Sequence, residues 1–138
     1  MKKKAIISVL SRQVGDEEEI EVVTPGTFYE KDNSYYAEYA ETTISGMEGT
    51  TTTLKINPDK FSLIRIGSTS AEMDFDKKAN NISMYNTPYG TLELKIETKK
   101  LDIKVDENGG DIYIKYLLSV LGQDPLDTTL KINIKTQE

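Results

Sequence analysis

Few residues in this sequence could carry out covalent chemistry. Cysteine and histidine are both absent. That removes thiolate and imidazole nucleophiles, Ser-His-Asp and Cys-His arrangements, thiolate or imidazole metal sites and the usual physiological-pH switch. Serine, lysine, aspartate and glutamate are plentiful, yet no pair has the spacing that would single out Ser-Lys or two-carboxylate catalysis. The acidic run Asp16-Glu17-Glu18-Glu19 lacks the spaced ligands and glycine of a calcium loop and reads as a solvated turn. The residues that matter are instead polar ones placed among apolar neighbours. Arg65 has the parity of Phe61 and Leu63, Glu41 that of Tyr35, Ala37 and Tyr39, and Tyr116 that of Ile112, Ile114, Leu118 and Val120. Because strand side chains alternate faces, Arg65, Glu41, Tyr39 and Tyr116 are expected on interior faces.

A charged side chain on an interior face needs a partner, since stranding one buried charge costs about 3–5 kcal/mol. Arg65 and Glu41 are candidates for an internal ion pair, with tyrosine hydroxyls meeting their spare donors and acceptors. One reading makes the pair structural, fixing strand register. A second lets it line an open cavity, where the planar fork of Arg65 receives the carboxylate or phosphate of a small ligand. In a third, Glu41 faces solvent near a strand end.

The elements that must position these residues read almost entirely as strands. Residues 4–13 form the first. Residues 20–31 form a second, interrupted at Thr24-Pro25-Gly26, where proline and glycine break a central ladder. After a turn at Asp32-Asn33 come strands over residues 35–44 and 50–56. The threonines at 50–53 read as a twisted strand with its hydroxyls outside. Asn57-Pro58-Asp59-Lys60 is a type I turn. Alternation resumes at 61–66, 71–75 and 82–85, with polar loops between.

A long strand follows, in which the apolar parity switches. Leu92, Leu94 and Ile96 are even; Leu101, Ile103 and Val105 are odd. A bulge or sharp bend at 98–100 is therefore expected, keeping both sets inward. Asn108-Gly109-Gly110 turns the chain into residues 111–121, where a helical turn at 117–121 is the lesser alternative to strand. Residues 129–134 end the pattern. The expectation is an all-β chain: a single antiparallel β-barrel of about 8–10 strands with meander topology, one domain over residues 1–138.

Formal net charge is −6 and the sequence pI near 4.8. That argues against a nucleic-acid binder, which needs a basic footprint. No stretch approaches the roughly 18 apolar residues of a spanning helix. The Lys2-Lys3-Lys4 lead-in to a short apolar run reads as the approach to a first strand, not as a signal peptide. A cytoplasmic protein without membrane attachment is expected.

Three short signatures sharpen the fold. Tyr39-Ala-Glu41 lies late in the third strand, Leu63-Ile-Arg65-Ile-Gly67 closes the fifth, and Tyr85-Asn-Thr87-Pro88-Tyr89-Gly90 opens the long one. Their order and spacing resemble the YwiB-like family of small uncharacterised bacterial proteins. That resemblance implies a lipocalin-like (calycin) β-barrel with no assigned activity. The expected function is non-catalytic: a barrel that binds a small amphipathic or anionic ligand inside, with Arg65, Glu41, Tyr39 and Tyr116 as ligand-binding residues. The alternative is a filled barrel acting through its outer surface, as monomer or homodimer. No catalytic residue, metal ligand or cofactor is assigned.

Overall fold

In the computed structural model, described for residues 2–13, 19–41, 48–68, 70–76, 80–87, 90–120 and 125–137, ten strands follow one another. They are β1 (Lys3–Gln13), β2 (Ile20–Lys31), β3 (Ser34–Ala40), β4 (Thr51–Ile56), β5 (Lys60–Ile66), β6 (Ala71–Asp76), β7 (Asn80–Thr87), β8 (Gly90–Asp106), β9 (Gly109–Val120) and β10 (Leu126–Gln137). No helix occurs among the described residues, and 117–120 is strand. Several features read from the sequence lie outside the described residues: the acidic run at 16–18, the start of the turn at 46–47, the loop at 77–79, positions 88–89 and the segment 121–124.

All pairings are antiparallel, in the spatial order β6-β5-β4-β3-β2-β1-β10-β9-β8-β7. Each strand neighbours its sequence neighbour except where β1 meets β10, so the sheet is a meander whose ends are β6 and β7. Among the described residues those two edges meet through one bridge, Ser70 with Asn86, with reciprocal backbone hydrogen bonds of 2.9 and 2.8 Å. The result is an all-β, nearly closed barrel with a seam between β6 and β7.

Turn chemistry explains the tight connections. Asp32 and Asn33 both take positive φ, 52° and 67°, the signature of a two-residue type I′ hairpin. Asn57 N–H donates to the Lys60 carbonyl at 3.0 Å across the proline turn. Along β8 the pairing with β9 slips between Thr98 and Lys100, leaving Lys99 as the extra residue of a bulge. The bulge absorbs the parity switch: Leu94, Ile96 and Leu101 are buried and Ile103 and Val105 half-buried.

Two expectations are corrected. β2 runs unbroken through Thr24-Pro25-Gly26. Its ladder to β3 begins only at Thr27, so Pro25 sits where that side of the strand has no partner to lose. Gly26 is needed because a Cβ there would strike the Glu38 carbonyl and the Ile7 side chain. The threonines at 50–53 are not all outside either. Thr50 and Thr52 are fully buried, on the inward parity of Leu54 and Ile56.

Aromatic rings run through the core. Phe28 stacks on Tyr35 with ring centroids 5.5 Å apart, and Phe61 meets Phe75 at 5.9 Å. Phe75 then contacts the Tyr116 ring edge-on at 4.8 Å, linking β6 to β9 across the interior. Phe75 and Tyr116 also border the cavity inside the barrel.

Candidate functional site

The site is built on two rows of cross-strand neighbours facing each other across the barrel. In the first, Tyr39 on β3 pairs with Thr52 on β4, and Thr52 pairs with Arg65 on β5. Cross-strand partners project from the same face, so this register delivers all three side chains inward together. Glu41 lies two residues beyond Tyr39, just past the end of β3. Its backbone N–H still donates to the Thr50 carbonyl at 2.8 Å, which keeps its side chain on the same inward face. In the second row, Tyr116 on β9 is flanked by Thr98 on β8 and Thr128 on β10.

The Glu41 side chain is 2% exposed and accepts a hydrogen bond from Thr52 Oγ1. Arg65 Nε stands 3.7 Å from Glu41 Oε2, and the Arg65 side chain is 18% exposed. That distance makes an ion pair but not a hydrogen bond, and Nε is buried with no acceptor. Glu41 therefore supplies compensating charge while leaving this donor of Arg65 unspent. The Tyr39 phenol is held above its ordinary pKa chiefly by burial and then by the Glu41 carboxylate, with Arg65 and Thr52 opposing. Tyr116 is raised as well, by burial, with the positive charge of Arg65 pulling the other way. Thr128 comes close enough to Tyr116 to offset part of that rise, yet without the alignment of a full hydrogen bond.

Tyr39, Glu41, Arg65 and Tyr116 line a cavity of about 360 Å³. Its walls are mostly apolar, with Val22, Leu63, Met73, Phe75, Leu94 and Leu130 among them, and Ser11 adds a hydroxyl. Ile20 and Leu92, 55% and 47% exposed, stand at its rim, so the cavity meets solvent there. The volume lies at the small end of ligand pockets, which run from roughly 300 to 1,000 Å³.

Arg65, Glu41, Tyr39 and Tyr116, singled out by parity alone, all border this one cavity. Thr52, Thr98 and Thr128 were not singled out, although each is inward and at least nine-tenths buried. The parity of Thr52 with Leu54 was the signal available for it. No signal of that kind marked Thr98, which sits at the bulge where parity changes. Among the described residues no group of acidic side chains is arranged to hold a metal ion.

Residues 6–132 match the family model described as a domain of unknown function, DUF1934. The chain belongs to that family. It is 33% identical over 106 residues to the uncharacterized beta-barrel protein YwiB of Bacillus subtilis (strain 168), covering 77% of this chain and 73% of that protein. The crystal structure of the ywiB protein from Bacillus subtilis superimposes with a TM-score of 0.81 at 25% identity, over 99% of this chain and 92% of the other. This DUF1934 chain thus shares both the sequence pattern and the barrel of YwiB, as the three signatures implied.

Proposed function

We propose that this protein is a non-catalytic binder that takes a small amphipathic ligand into its barrel. The apolar body of the ligand would lie against Val22, Leu63, Met73, Phe75 and Leu94, and its polar head would reach Arg65. The observation that carries this reading is the buried Arg65 Nε without an acceptor on the wall of an apolar cavity. A buried unsatisfied donor costs about 1–3 kcal/mol, a cost that a bound acceptor would remove. Glu41 is the one carboxylate among the described lining residues, so hydrolysis by two carboxylates lacks its second partner there.

The competing reading, an interaction protein acting through its outer face, draws support from Ile82 and Met84, which are exposed on the edge strand β7. The cavity weighs against it, because a barrel serving only as a scaffold gains nothing by leaving its interior open. Native mass spectrometry of the freshly purified protein separates the two. A retained small molecule that disappears in Arg65→Met supports the ligand reading. An empty chain found as a homodimer that dissociates in Met84→Glu supports the other.

A further inference from the structure

Three buried side-chain polar atoms among the described residues lack a hydrogen-bond partner: Arg65 Nε, Thr98 Oγ1 and Thr128 Oγ1. They are not scattered. Thr98 and Thr128 are the two cross-strand neighbours of Tyr116, and Tyr116 shares the cavity with Arg65. Arg65 and Tyr116 come from the two facing rows and border the same cavity, within electrostatic reach of each other. Arg65 lines the cavity itself, and Thr98 and Thr128 flank another lining residue, so the missing partner of Arg65 Nε can come from solution.

Resting on the ligand-binding reading above, we infer that Arg65 and Tyr116 jointly clamp the ligand's head, and that this head is a single carboxylate. A carboxylate offers two coplanar oxygens, one for the guanidinium fork and one for the phenol O–H. A neutral hydroxyl or carbonyl would leave the arginine with a weaker, uncharged acceptor. A phosphate monoester brings about −1.5 to −2 charge near neutral pH. Glu41 stands 3.7 Å from Arg65 Nε and is itself held by Thr52, so that extra negative charge would meet a fixed carboxylate. The single charge of a carboxylate is balanced by Arg65 at less repulsion from Glu41. Thr128 acts on the ligand through Tyr116, as the positioning residue whose hydroxyl lies close to the phenol.

The test uses the full chain freed of ligand and three probes with the same alkyl body: decanoate, decyl phosphate and decanol, compared by titration calorimetry. Decanoate is expected to bind at least about tenfold tighter than either of the others, the effect of one charge-assisted hydrogen bond. Tyr116→Phe, which keeps the ring against Phe75, should remove most of that preference. Arg65→Lys should weaken decanoate too, since an ammonium cannot reproduce the fork. Equal or tighter binding of decyl phosphate or decanol would overturn the carboxylate head while leaving the ligand-binding reading intact. So would a Tyr116→Phe variant with undiminished decanoate affinity. If none of the three binds and the purified protein carries nothing, both readings fall.

Discussion

Replacing Arg65 by methionine isolates the electrostatics of the site. Removal of the guanidinium leaves the carboxylate of Glu41, whose side chain is 2% exposed, without its counter-charge. At 3.7 Å and an effective dielectric near 20, the lost attraction is on the order of 4 kcal/mol before any relaxation. Two features reduce it. Arg65 is partly hydrated at 18% exposure, so methionine recovers some desolvation cost, and Glu41 keeps its hydrogen bond from Thr52. A net loss of about 2–3 kcal/mol is expected, short of the 3–5 seen when a fully buried pair is broken. Glu41→Leu alone should cost less, because Arg65 can turn its head toward the open cavity. The double variant should recover much of the loss, since apolar groups of similar volume replace buried pairs well. Urea melts of the four proteins, freed of ligand, give the coupling energy directly. A coupling of about 1–2 kcal/mol is expected. A value near zero would refute the claim that these side chains act on each other, and Arg65→Met more stable than wild type would show that Arg65 is held only for a ligand.

Three further outcomes follow from the same geometry. Deleting Lys99 should be tolerated within about 1–2 kcal/mol, because the bulge residue is the one whose loss keeps both apolar sets of β8 inward; deleting Lys95 instead should abolish cooperative thermal unfolding. Gly26→Ala should lower the melting temperature, at an overpacking cost of about 1–3 kcal/mol, since its Cβ would meet the Glu38 carbonyl and Ile7; an unchanged melt would show that β2 can shift. The Tyr39 and Tyr116 phenols have pKa values raised by burial, so the folded state holds their protons more tightly than the unfolded one. That stability is fully present below about pH 10 and declines as pH rises above it, and Tyr39→Phe should flatten the decline measured by denaturant melts across alkaline pH.

Much of this was legible in the sequence, for identifiable reasons. Period-two alternation survives wherever one face is packed and the other wet, so β3, β5 and β6 could be read strand by strand. The parity switch in β8 was as plain, because one extra residue is the least a chain can insert to turn without exposing its apolar side. Proline at 25 misled because its meaning depends on which neighbour strand lies alongside, and that is a property of the assembled sheet. Threonine misled for a related reason: it suits strands on either face, so the burial of Thr50 and Thr52 is decided by what Glu41 and Ser68 offer their hydroxyls. The meeting of Arg65 with Glu41 followed from parity. The row formed by Thr98, Tyr116 and Thr128 did not, since register between distant strands carries no local mark.

The distribution of polar groups inside the barrel bears on why they are there. A pair that serves only to fix register does so best when packed on all sides, with every donor and acceptor met. Near Phe28 and Phe61 the interior is filled that way, and the buried polar side chain there is satisfied: Ser34 donates to Asn57 Oδ1 at 2.6 Å. Around the cavity the arrangement differs. Arg65 borders open volume with its Nε unmet, Thr98 and Thr128 flank the lining residue Tyr116 with unmet hydroxyls, and Glu41 is held by Thr52. The sheet is able to satisfy its buried polar groups, as Ser34, Thr50, Thr52 and Glu41 show. The exceptions are one cavity-lining residue, Arg65, and the two cross-strand neighbours of another, Tyr116. Local inconsistency confined to one place is what the proposed binding site would cost the fold, and here it falls on Arg65 and the neighbours of Tyr116.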